Sequence, residues 1–282
     1  VVAKSLAAPF VSSDAAPLGS AVVLRPSSAV DRLPPRSGEP SPIADRAAEQ
    51  HTILVATLRD CGVDVHVVNP RTQTPGESLV ADTAILLPNG AVIARPAQVD
   101  RRADLATIEQ LLGELGIPIV GRIEAPGLLD GTDVALAAGR AFIGVTRPGA
   151  GLQRRSNELG RQQFEAIAAQ QGFQTVELAV APDVVHLRDV FSVVAADTII
   201  AAPDKVDLVP ATGLTVVEVP RGEELAAGVL AIGERRVLVN LRFRESIAFL
   251  RKAKIAVEAI DLWEFGKAGF GPPSLVLALK RG

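Results

Sequence analysis

Ala91-Val92-Ile93-Ala94-Arg95-Pro96 opens the stretch that decides the fold. A short apolar, β-branched run of this kind has the length and composition of a buried strand. Pro96 cannot continue a central strand, so Arg95 falls at the strand's end. Asp100 then reads as a helix cap, with Leu105, Ile108, Leu112 and Leu115 along one face and Gly116 as the stop. A second apolar run, Ile117–Ile123, completes a strand–helix–strand unit.

The same phrase recurs on both sides. Apolar runs at Ala21–Leu24, Phe142–Val145, Thr198–Ala201, Arg236–Val239 and Ser274–Leu279 have strand character. Arg25-Pro26 and Arg147-Pro148 repeat the Arg-Pro ending. The first helix is expected to start at Ser41-Pro42, a cap followed by proline at the first helical position. It carries Ala47, His51, Leu54, Leu58 and Cys61 on one stripe, ends at Gly62 and feeds a strand over Val63–Val68. A third unit has Phe164, Ile167 and Ala168 on one face, Gly172 as stop, and Thr175–Val180 as strand. The fourth shows Thr215–Val219 and a short helix over Glu223–Ala227; the fifth has a helix over Arg244–Lys252 and a strand over Ala256–Leu262. First strands therefore recur every 40 to 70 residues or so, which suggests an internal repeat with insertions. An open, doubly wound sheet is the alternative. The Pro-rich stretch Leu33–Pro42 and the glycines Gly149 and Gly151 read as long loops, and residues 1–19 as an irregular extension of one domain spanning 1–282.

Composition narrows the function. The 282 residues are 48% hydrophobic and 22% charged, which describes an ordinary globular chain. A net charge of −3 leaves no basic surplus for nucleic acid. No apolar stretch is long enough to span a membrane. One cysteine cannot form an internal disulfide, so a cytoplasmic setting is expected. The absence of tyrosine removes one class of acid and nucleophile.

His51 and His66 read as structural, on a helix stripe and an adjoining strand. His186 stands apart, in Asp183-Val184-Val185-His186-Leu187-Arg188-Asp189 after a proline turn. Asp82, Asp130 and Asp133 each precede an apolar run, where acids commonly form turns. A His–carboxylate pair assembled across two units would instead suit general acid/base chemistry. No metal-ligand spacing and no phosphate-binding glycine motif appears, so neither metal nor cofactor is expected.

Five segments, in order, resemble the dimethylarginine dimethylaminohydrolases. They are Ala48–Val65, Ala91–Pro96, Arg122–Gly127, Val185–Arg188 and Val216–Pro220. The resemblance runs from about residue 20 to the C-terminus. It implies the pentein fold, a five-fold pseudosymmetric α/β propeller, and guanidine chemistry by a cysteine near the C-terminus. Carried over by motif, His186 is the proton shuttle and Asp130 its orienting carboxylate, where the family usually has Glu. Asp82 grips the guanidinium, Leu79 lines the same pocket, and Arg95 and Arg155 hold the ligand's carboxylate. The departures lie in the same motifs. Pro272 stands at the nucleophile's position, Gly76 and Ala81 replace two other acids of the loop, and Cys61 reads as inert core. Ser274 reads as extended, on the face of Pro272 but about 6–7 Å further along.

The expectation is a dimethylarginine dimethylaminohydrolase-like pentein that binds a small amino-acid-like ligand without cysteine-dependent hydrolysis. Two alternatives stand beside it. One is a hydrolase that uses water with His186 as base; the other is a non-catalytic platform for a protein partner. Convergence of His186, Asp130 and Asp82 on one open pocket would favour ligand binding or hydrolysis, whereas filling of that pocket by Phe270 or by the Gly149 insertion would favour the platform.

Overall fold

The computed structural model describes residues 5–99, 101–137, 139–146 and 156–282. Residues 5–17 form no regular element but are pinned by backbone hydrogen bonds, Leu6 to Leu115, Phe10 to Pro88 and Asp14 to Leu136. The regular structure starts with β1 (Leu18–Leu24), followed by α1 (Ala44–Asp60) and β2 (Asp64–Val68), which pairs parallel to β1.

The second unit adds β3 (Ala84–Leu87), β4 (Gly90–Ile93), α2 (Arg102–Glu114) and β5 (Ile119–Arg122). The third comprises β6 (Val134–Ala137), β7 (Arg140–Thr146), α3 (Glu158–Gln170) and β8 (Gln174–Val180). The fourth has β9 (Phe191–Ala195), β10 (Thr198–Ala201) and β11 (Thr215–Glu218); residues 202–214 cross over without an α-helix. The fifth holds β12 (Leu230–Gly233), β13 (Arg236–Asn240), α4 (Arg244–Lys252) and β14 (Ala256–Ile260). Finally β15 (Leu277–Arg281) returns to pair antiparallel with β1, Ala21 opposite Ala278.

Five three-stranded sheets result among the described residues, each an antiparallel pair extended by a parallel strand. The open doubly wound sheet is thereby excluded. Neighbouring sheets touch around a closed circuit through β15 and β3, β6 and β9, β9 and β12, and β12 and β1; the second and third units meet at their turns. This is the pentein arrangement. The unit is strand–strand–helix–strand, so one strand more than the sequence phrase contains. The apolar clusters straddle the sheets: Val22, Leu86, Val92 and Leu136 join the first three units, and Phe142, Phe191 and Val237 join the last three. No helix among the described residues is long and apolar enough to cross a membrane.

Three local expectations need correcting. Ser41 does not cap α1; Ile43 does so without a side-chain bond, and its amide donates to Glu264 Oε2 at 2.7 Å. Ser274 is not extended. Pro272–Leu275 forms a helical turn, with proline pre-set for the first positions, and the strand begins at Leu277. Cys61 is half-buried at the end of α1 and accepts from Arg236 Nη2 at 3.5 Å, rather than lying in the core. Asp100, the expected cap, and Arg147-Pro148, Gly149, Gly151 and Arg155 lie outside the described residues.

Candidate functional site

A short helical turn leads into the first strand of every hairpin. These turns are Val80–Asp82, Gly131–Asp133, Leu187–Asp189, Glu224–Ala227 and Pro272–Leu275, and they pack on one another. The first three end in aspartate, and the residues just ahead of them are Leu79, Asp130 and His186. Pseudosymmetry therefore brings together residues 50 or so apart in sequence.

His186 exposes 0% of its surface, as does Asp82, and Asp130 exposes 2%. His186 Nε2 lies 3.5 Å from Asp130 Oδ2 and 3.7 Å from Asp82 Oδ1, while Nδ1 lies 3.7 Å from Asp189 Oδ2. Asp189 also accepts from the amides of His186 (3.0 Å) and Gly271 (3.4 Å). Asp133 accepts from the Leu187 amide at 3.2 Å and from Ser156 Oγ at 2.5 Å. Burial pushes Asp133 and Asp189 up to about 6, with His186 pulling each the other way. The Phe270 ring lies 6.0 Å from the His186 ring, tilted, and Phe270 is itself buried.

Asp82 is held on both oxygens. Thr132 Oγ1 donates to Oδ1, and the buried Arg101 donates through Nη1 to Oδ2 at 3.2 Å. Arg101 also donates through Nε to Asp104 Oδ2 at 3.0 Å and through Nη2 to the Leu79 carbonyl at 2.9 Å. Burial works against its charge, but Asp82, Asp104 and Asp130 outweigh that and raise its pKa. Burial likewise raises Asp104, against a 2.5 Å bond from Thr72 Oγ1.

Leu79 is 1% exposed and contributes its carbonyl. Arg95 is half-buried at the end of β4; its Nη1 donates to the Gly127 carbonyl at 3.2 Å. Pro272 is buried in the last turn, and Ser274 Oγ is buried with no hydrogen-bond partner among the described residues. Burial raises the Cys61 thiol, which suits a poor nucleophile. The structure thus joins His186, Asp130, Asp82 and Leu79 in one cluster. Arg101, Asp104 and Asp189 complete it without having been singled out by sequence. A repeated aspartate directly ahead of an apolar strand, at 82, 133 and 189, is the signal that could have found the last.

The centre surrounds His186 with carboxylates on both ring nitrogens, Asp82 and Asp130 near Nε2 and Asp189 near Nδ1. It is closed to solvent as it stands, and its principal cation is a side chain of the protein.

The five-sheet circuit is the pentein fold. No protein-family model matches the chain. Over 218 residues it is 27% identical to a dimethylarginine dimethylaminohydrolase of Pseudomonas aeruginosa, covering 77% of this chain and 83% of that one. Over 221 residues it is 29% identical to the enzyme of the same name from Streptomyces coelicolor, covering 78% and 81%. A solved Pseudomonas aeruginosa structure, in complex with citrulline, superposes with a TM-score of 0.83 at 23% identity, covering 93% of this chain and 99% of that one. The chain is thus similar over most of its length to dimethylarginine dimethylaminohydrolases and shares the fold of the solved one.

Proposed function

We propose that this chain is a non-hydrolytic pentein, a propeller that has given up guanidine chemistry and serves as a platform for a protein partner. The observation that carries the reading is the complete burial of Asp82 and of His186, whose ring lies against that of Phe270. A general base must reach the atom it deprotonates within hydrogen-bond distance or through one water. Here the imidazole faces carboxylates of its own chain. The resemblance also puts Pro272, which has neither thiol nor amide hydrogen, where its relatives carry the nucleophile. Cys61, half-buried beside Arg236, offers no substitute.

The test is citrulline formation from arginine and its methylated forms. We expect none above that of a His186→Ala variant. Robust turnover that survives Cys61→Ala and is lost in His186→Ala would overturn the proposal and establish the water-based mechanism. The small-ligand reading is addressed by thermal shift: arginine, methylarginines and citrulline are expected to leave the melting temperature unchanged, since a ligand selective for the native state must raise it.

A further inference from the structure

We propose that the cleft between β2 and α2 is a second ligand site, one that takes a free amino acid with an aliphatic side chain. The site shares no residue with the histidine centre, and the inference goes beyond the proposed function without resting on it. An open cleft of about 340 Å³ lies between the end of β2 and the last two turns of α2. Val67, Val68 and Leu111, each half-buried, give it an apolar floor. The exposed Arg71, Gln110 and Glu114 form a polar rim. That combination, an apolar floor with a few polar groups converging on it, is the usual make-up of a small-molecule site.

The rim holds two opposite charges apart. Arg71 Nη1 donates to Gln110 Oε1 at 3.2 Å, and Gln110 Nε2 donates to Glu114 Oε1 at 2.8 Å. One side-chain amide thus separates guanidinium from carboxylate, and neither forms an ion pair among the described residues. A small zwitterion suits that spacing: its carboxylate meets the guanidinium fork, its ammonium meets Glu114, and its apolar body covers the floor. Two features separate this from an ordinary surface network. The loop that presents Arg71 is fixed by Glu77, itself 2% exposed, which accepts from the amides of Arg71, Thr72 (2.9 Å) and Gln73 (3.1 Å). Glu114, in turn, is the last residue of α2, whose final turn carries no basic residue. An acid at a helix C-terminus opposes the helix dipole, so helix formation does not account for it. A docked ammonium does, since it meets both the carboxylate and the negative end of the dipole. Arginine and citrulline share the head group but would lay a guanidinium or a urea on the apolar floor without a partner, so the site selects against them.

The experiment is titration of the protein with L-leucine through the millimolar range, followed by calorimetry and by thermal shift. The controls are N-acetyl-leucine, which lacks the ammonium, leucinamide, which lacks the carboxylate, and glycine, which lacks the side chain. Leucine is expected to bind saturably and to raise the melting temperature, and the three controls are not. Arg71→Gln and Glu114→Gln alter exposed side chains and should fold as wild type does. Each should weaken leucine binding about tenfold or more, as loss of one charge-assisted contact implies. No heat and no shift with leucine overturns the inference, and so does equal binding of the controls. Saturable binding that both variants retain in full would place leucine elsewhere and overturn it as well. Citrulline production by the wild type would instead overturn the proposed function and leave this inference standing.

Discussion

At the scale of single residues the centre is a problem of crowded acids. Asp82, Asp130, Asp133 and Asp189 sit around one histidine, and Asp104 adds a fifth carboxylate at Arg101. Burial keeps a proton on Asp133 and Asp189 up to about pH 6. A folded pKa above the unfolded one favours the neutral form, so the stability it brings is complete below pH 4 or so and is lost as pH rises through about 6. The Asp133→Asn variant should lack this loss, because an amide can still accept from Leu187 and donate to Ser156. Its melting temperature should therefore gain on the wild type between about pH 4 and 7, by at most roughly 3 kcal/mol of stability. Thermal unfolding of the two proteins across that range checks it; a constant difference would show that Asp133 ionises freely. His186, Asp130, Asp82 and Leu79 were legible because short motifs carry them. Arg101 was not, since Arg101-Arg102 ahead of an amphipathic helix looks like two solvated charges, and local pattern says nothing about a cradle formed 19 residues upstream.

The elements tell a similar story. Strands β4, β7, β10 and β13 were legible as apolar runs bounded by turns. Their antiparallel partners β3, β6, β9 and β12 are equally apolar and stand only two residues ahead of them, so each hairpin merges into the run that was read as one strand. The entry turns were invisible for another reason: each is only three or four residues long, too short to show a helical period, and at Gly131 two of them meet backbone to backbone. A Cβ at Gly131 would fall 2.1 Å from the Ala81 carbonyl oxygen and 2.8 Å from that of Ala84. Gly131→Ala should therefore destabilise by about 1–3 kcal/mol as overpacking. Gly113, exposed near the end of α2 with open space around it, should behave oppositely. Gly113→Ala is expected to stabilise by up to about 1 kcal/mol. Denaturant melts of the pair give both signs; a harmless Gly131→Ala would mean that the turns can separate.

For the molecule as a whole, closure by β15 on β1 ties the first unit to the last. Arg281 reinforces it: only 4% exposed, it donates through Nη1 to the carbonyls of Ala16 and Ala231, each at 2.8 Å. Burial lowers its pKa to about 10, still far above neutrality. Arg281→Ala should cost about 2–4 kcal/mol, since it strips a buried donor from two carbonyls and a charge from Asp14. Trp263, the single tryptophan, lies between Arg36 and Arg242 in the stretch that joins β14 to β15. Its fluorescence and far-ultraviolet circular dichroism should thus report one coincident transition, displaced together in Arg281→Ala. An earlier tryptophan transition would mean that the segment leading into β15 loosens before the circuit melts. Closure has a further meaning for the histidine centre. Asp82, Asp130 and His186 come from the entries of three successive units, so no unit carries the centre alone and it exists only while the circuit is shut.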